Sequence, residues 1–263
     1  MEIYFIGTGG GRFATITQRR RTGGIRLIAE KVNAHLDPGP GALVYSHQLG
    51  LDPRKLNLIL VSHAHPDHYN DAEVMIEAMT AGSLKRRGTL ICSRSVTRGN
   101  DACDPAISRY HRGITGETVE LREGEKHKAA GVEVTAMKTV HSDPETVGFR
   151  FAFPTGETVG YTSDTEYFEG VAKACAGVDL LIICTLRPRG RRIKWHLSTD
   201  DALRIVQDVR PKRAALTHFG MKAITVTETN AEAKYIEQET GVPTIAAEDG
   251  MKLKVEKKTE RLS

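Results

Sequence analysis

The chain has 263 residues, 40% hydrophobic and 27% charged, a balance that fits a folded globular protein and excludes a disordered or low-complexity polypeptide. A formal net charge of +4 favours anionic partners, yet so small an excess does not by itself identify a nucleic-acid binder. The four cysteines, Cys92, Cys103, Cys175 and Cys184, form no CxxC pair, which excludes a zinc ribbon or redox motif, argues against a disulfide framework and leaves reduced core thiols.

In chain order, short β-branched runs bounded by Gly and Pro predict strands over 3–6, 25–28, 58–61, 132–137, 147–153, 159–162, 180–183 and 214–216. Helical spacing predicts helices over 71–80, 168–175, 198–209 and 231–239. Ser198, Thr199 and Asp200 offer an N-cap to the third of these, and Gly241 a stop to the fourth. The charged tail 254–263 is expected to fray. No repeat or composition break divides the chain, so one domain over 1–263 mixing sheets and helices is expected. The opening MEIYFIGTGG is too short in apolar residues for a signal peptide, and no run reaches membrane-spanning length. A cytoplasmic protein without membrane contact is the expectation.

Directly after the strand at 58–61 comes Ser62-His-Ala-His-Pro-Asp-His68, read here as a loop rather than a strand or helix. A turn at Pro66 lets His63 and His65 point one way and Asp67 and His68 another, which suits two neighbouring ions better than one. Imidazole and carboxylate donors without cysteine are accepted by zinc, manganese and ferrous iron, and they leave coordination positions open. His141, Asp164 and His218 each follow a predicted strand as well. His35, His47, His111 and His127 lack such support and read as surface or packing residues. Gly7 to Gly11 lacks the GxGxxG spacing and the following Gly-Lys-Ser/Thr of nucleotide loops, and is expected to form a tight turn near the metal site.

These motifs, with Phe5-Ile-Gly-Thr-Gly9 and His35-Leu-Asp-Pro-Gly39, resemble the metallo-β-lactamase superfamily over nearly the whole chain, and its five metal-site motifs occur in order. The resemblance implies an α/β (α+β) fold, a four-layer αβ/βα sandwich of two mixed β-sheets flanked by helices. It further implies two divalent metal ions, zinc by first choice with manganese or iron as alternatives. His63, His65 and His141 would hold one, and Asp67, His68 and His218 the other. Asp164 and a water or hydroxide would bridge them, and Asp67 would also orient the nucleophile. A homodimer is implied too.

His196, in Trp195-His-Leu-Ser-Thr199, occupies the place of a histidine in the superfamily's phosphodiesterase branch, which includes tRNA 3′-processing endonucleases and the cyclic phosphodiesterases of phosphonate breakdown. Leu197 interrupts the usual H-x-T or H-S-T context. An imidazolium there would neutralise or protonate a phosphate oxygen. The basic stretch 187–194 just before it could attract phosphate or simply be a solvated loop, while Arg19–Arg21 and Lys85–Arg87 read as ordinary surface charge. The stretch between His141 and Asp164 is too short for the exosite arm of the tRNA endonucleases. The expected activity is therefore hydrolysis of a small, cyclic or nucleic-acid phosphodiester, RNA included. The alternatives are a lactonase or thioesterase that does not need His196, and a noncatalytic metal-bearing binding module.

Overall fold

The structure, a computed structural model, describes residues 1–255. Its strands are β1 (Glu2–Phe5), β2 (Ile25–Ala29), β3 (Val32–Leu36), β4 (Leu58–Val61), β5 (Arg87–Cys92), β6 (Thr115–Glu120), β7 (Lys126–Ala129), β8 (Val132–Lys138), β9 (Val147–Ala152), β10 (Thr158–Tyr161), β11 (Leu180–Arg187), β12 (Leu197–Ser198), β13 (Arg213–Thr217), β14 (Thr244–Ala246) and β15 (Lys252–Lys254). The helices are α1 (Arg12–Thr17), α2 (Ala42–Gln48), α3 (Pro66–Tyr69), α4 (Ala72–Met79), α5 (Arg94–Arg98), α6 (Arg109–Ile114), α7 (Val171–Ala174), α8 (Thr199–Val209) and α9 (Val226–Thr240). One sheet runs β15-β1-β2-β3-β4-β5-β6, the other β14-β13-β11-β10-β9-β8-β7 with β12 beside β11. Both mix parallel and antiparallel pairs.

Alternation along the strands explains why the sheets face each other. In β4, Leu58 and Leu60 enter the core between the sheets, while Ile59 and Val61 pack outward with Met75, Ile76 and Met79 of α4. In β11, Leu180, Ile182 and Cys184 face that same central core, and Leu181 and Ile183 face Ile205 and Val206 of α8 and Ile236 of α9. Both strands read as unbroken apolar runs because each of their faces is covered. Burying such a side chain contributes roughly 1.5–3 kcal/mol. The result is the αβ/βα sandwich that the sequence implied.

Caps fix the two long helices. Ser198 and Asp201 form a capping box at α8, Thr225 and Glu228 one at α9, and Gly241 ends α9 in the left-handed conformation. Thr225 starts α9 ahead of the predicted 231 because its hydroxyl binds the Glu228 amide. The helix expected over 168–175 shrinks to α7. The sequence reading of 62–68 as loop throughout is corrected too: Pro66, at the first position of α3, starts a short helix carrying Asp67 and His68. Arg20 is no surface charge either, since it is buried and bonds Ile224 O, Thr8 Oγ1, Ala247 O and Thr229 Oγ1. The predicted frayed tail lies outside the described residues beyond Val255. Among the described residues, no helix is long and apolar enough to cross a membrane.

The sandwich has two unlike ends. Turns at Glu30–Lys31, Ala130–Gly131 and Pro154–Thr155 meet around a cavity of about 390 Å³ at one end. At the other, β3, β4, β8, β10 and β13 run out into Asp37, His63, His141, Asp164 and His218.

Candidate metal centre

Seven side chains expected as ligands come together at that second end. One ring nitrogen each from His63, His65 and His141 lie within 4.8 Å of one another, as do one nitrogen or carboxylate oxygen each from Asp67, His68 and His218, and from His63, His68 and Asp164. Asp164 reaches both groups: its Oδ2 is 3.9 Å from His141 Nε2 and 3.6 Å from His68 Nε2, and its Oδ1 is 3.2 Å from His218 Nε2. Asp67 Oδ2 lies 3.4 Å from His218 Nε2 and accepts the Gly11 amide at 2.8 Å. His196 joins at the edge, with Nδ1 3.5 Å from Asp164 Oδ2 and its ring 5.0 Å from that of His141.

Hydrogen bonds behind the rings set which nitrogen faces inward. The Ser62 hydroxyl donates to Asp37 Oδ2, so at 3.0 Å it accepts from His63 Nδ1. His68 Nδ1 donates to Asp37 Oδ2 at 2.8 Å, and His141 Nδ1 to the Trp195 carbonyl at 2.9 Å. In His63 and His141 Nε2 is left with its lone pair turned inward, the arrangement that prepares a histidine for a metal, and the bond to Asp37 aims His68 Nε2 the same way. Two of these lone pairs converge on His65 Nδ1, at 2.9 Å from His63 and 3.1 Å from His141. Buried Asp164 Oδ1 makes no hydrogen bond. His65 Nδ1 carries one proton at most to share between the two, and the unbonded Asp164 Oδ1 lies nearby, so the donor set fits cations that accept nitrogen and oxygen.

The electrostatics agree. Burial opposes ionisation of Asp164, yet His218 and His68 outweigh it and hold the carboxyl well below its usual range. Asp67 is likewise lowered against burial by His68 and His218. His68 is raised well above an ordinary histidine, since Asp67, Asp164 and Asp37 overcome its burial. His63 moves the other way, lowered by burial and by His68, His141 and His65. Burial also lowers His196 to about 4, against the pull of Asp164.

Local sequence explains the close packing. A Cβ at Gly10 would stand 2.2 Å from the His218 ring, so only glycine lets the β1–α1 turn lie against that ring. The basic stretch 187–194 is largely paired within the protein. Arg189 bonds Glu232 and stacks on Tyr235, Arg192 bonds Asp201 at 2.6 Å, and Lys194 lies over Trp195. Beside it a cleft of about 310 Å³ is lined by Tyr167, Arg192, Lys194 and His196, among others. Of the remaining histidines, His35 is buried and bonded to Gly23 O, His47 is exposed, and His111 and His127 are half-buried against glutamates.

Sequence reading assigned no role to Asp37, Ser62, Tyr161, Glu166 or the Trp195 carbonyl. Asp37 takes four hydrogen bonds, from Ser62 N and Oγ, His68 Nδ1 and Tyr161 OH. The only sequence signal for it was its place in the His35-Leu-Asp-Pro-Gly39 motif.

Comparison with known proteins agrees with this architecture. The family described as "Beta-lactamase superfamily domain" matches residues 33–219. An uncharacterised protein of Methanocaldococcus jannaschii is 38% identical over 257 residues, spanning 97% of this chain and 95% of its own. Ribonuclease Z of Sulfolobus acidocaldarius is 25% identical over 289 residues, spanning 92% of this chain and 96% of its own. In structure, the metallo-β-lactamase fold protein YhfI from Bacillus subtilis superposes with a TM-score of 0.78 at 19% identity, covering 96% of this chain and 98% of that one. Together with the two sheets and the histidine-aspartate cluster at their shared end, these matches establish that the chain belongs to the metallo-β-lactamase superfamily.

Proposed function

We propose that the protein is a metal-dependent phosphodiesterase acting on a small, cyclic or nucleic-acid phosphodiester. The observation that carries this reading is His196 at the edge of the cluster, in the wall of the adjoining cleft. Hydrolysis of a carboxyl ester does not need an extra imidazole there, whereas a phosphodiester presents both a non-bridging and a leaving oxygen to be stabilised. The likeness to ribonuclease Z supports the same bond class.

His63, His65 and His141 would hold one cation and Asp67, His68 and His218 the other, with Asp164 between them. Two divalent cations, zinc by first choice, would supply an acidified water and a positive field at the oxygen under attack. Asp67, fixed by the Gly11 amide, orients the attacking water and takes its proton. His196 keeps Nδ1 toward Asp164, and the negative charge of a bound phosphodiester would favour the imidazolium, whose other nitrogen would donate a hydrogen bond to a phosphate oxygen. Between His141 and Asp164 the chain holds β9, β10 and only short connections, which leaves no room for a long exosite arm, so we favour a general phosphodiesterase over a dedicated tRNA endonuclease. A cytoplasmic location is part of the proposal, consistent with four free cysteines.

The test is turnover of bis(p-nitrophenyl) phosphate, a lactone and a thioester by the metal-loaded protein and its His196→Ala variant, with metal content measured in both. Phosphodiester turnover is expected to fall on the order of a hundredfold in the variant with metal content unchanged. Cleavage of the carboxyl substrates alone, indifferent to His196, overturns the reading.

A further inference from the structure

Trp195 has a φ of 68°, a region that bulky residues rarely adopt. It follows Lys194 in a tight turn closed by the bridge between Ile193 and His196, at the position where glycine is the usual residue. Its side chain is 38% exposed and covered by the Lys194 ammonium, so packing of the indole does not account for the strain. Its peptide groups do. The Trp195 amide donates to Glu166 Oε2 at 2.9 Å, and the Trp195 carbonyl accepts from His141 Nδ1 at 2.9 Å. Glu166 lies two residues past Asp164, and its own amide is anchored on Val140 O, next to His141.

We infer that Glu166 is a positioning residue: it latches the strained 187–196 segment onto the centre, so that the Trp195 carbonyl holds His141 with Nε2 turned inward and His196 stands beside Asp164. Three parts of the chain, around residues 141, 164 and 195, are closed into one loop of hydrogen bonds through this carboxylate. Strain of this kind persists only where the surroundings over-determine it, and here they do so at a ligand. The inference rests on the histidine-aspartate cluster being a metal centre, and it does not depend on which bond is hydrolysed.

The experiment measures zinc affinity by competition with a chromophoric chelator, without substrate, for wild type, Glu166→Ala, Glu166→Gln and Trp195→Gly. Glu166→Ala is expected to weaken zinc binding about ten- to a hundredfold, the effect of losing a partner behind a ligand. Glu166→Gln keeps an acceptor at the same reach and is expected to stay within a few-fold of wild type. Trp195→Gly keeps both peptide groups and relieves the strain, and is expected to retain zinc affinity. In parallel, nitrogen-15 NMR of the holoprotein reads the His141 tautomer. Wild type is expected to carry its proton on Nδ1, and Glu166→Ala to show that proton exchanging faster. Unchanged zinc affinity in folded Glu166→Ala overturns the inference. Should that variant fail to fold, a wild-type His141 without a proton on Nδ1, or a Glu166→Gln as weak as a lost ligand, overturns it instead. Zinc affinities that follow the expectation in a protein inert toward phosphodiesters would sink the proposed function and leave the latch standing.

Discussion

Glu30 and Ala130 at one end of the sandwich, and Asp37, Ser163, Trp195 and His218 at the other, all have positive φ. At the first end the reason is local. Ala29 pairs with Val32 and Ala129 with Val132, so the two residues between must turn the chain in a hairpin that favours left-handed backbone, and any residue tolerating it would serve. At the second end the strained residues belong to the histidine-aspartate cluster or hold it in place. Asp37 backs His68, Ser163 precedes Asp164, the Trp195 carbonyl backs His141, and His218 lies on Gly10. The same conformation is thus a replaceable turn at one end and part of a positioned cluster at the other.

Asp164→Ala should break the contrast most severely. It removes the one carboxylate that faces both ligand groups, and turnover is expected to fall on the order of a thousandfold or more with metal lost, as read by metal analysis and steady-state rates. Next is Asp37→Asn, which swaps an acceptor-only group for one whose amide end cannot accept. Zinc affinity should fall about ten- to a hundredfold in chelator competition, and no change would mean the strain at Asp37 serves only the turn.

Acid should act on the same half of the protein through His35. Burial first, then Arg26, lowers this histidine to about 3, and the Gly23 carbonyl only partly opposes them. The unfolded chain therefore takes up the proton first, near the ordinary histidine pKa. The stability held by neutral His35 is complete above that range and is lost as pH falls from about 6.5 toward about 3. Between neutrality and pH 5 the loss is on the order of 2 kcal/mol. His35→Gln, which keeps a donor for Gly23 O, should flatten that limb in urea melts at a series of pH values, and an unchanged slope contradicts the assignment. The smallest effect belongs to the far end. Ala130→Gly should raise stability by roughly 0.5–1 kcal/mol and leave zinc affinity untouched, checked by thermal melts and the same competition.

How much of this was legible beforehand follows from where each signal lies. The histidines and aspartate at 63–68 could be read because they are close in sequence and chemically unusual, β4 because its apolar residues form an uninterrupted run, and β8 because Val132, Val134 and Ala136 alternate with Glu133 and Thr135. β6 and β7, with sequences Thr-Gly-Glu-Thr-Val-Glu and Lys-His-Lys-Ala, were missed, since strands near a sheet edge carry polar residues and lose the apolar pattern. The groups that hold the histidines in place were missed for another reason. Glu166 and the Trp195 carbonyl act on residues distant in sequence, and a backbone carbonyl leaves no mark in side-chain chemistry.

Asp37 touches both halves of the centre, His68 directly and His63 through the Ser62 hydroxyl, while Tyr161 fixes it from the opposite sheet. Two cations held there would share a single support, already set by four hydrogen bonds before any ion arrives. Disturbing Asp37 would therefore loosen a histidine of each group at once, and binding of the two ions would weaken together.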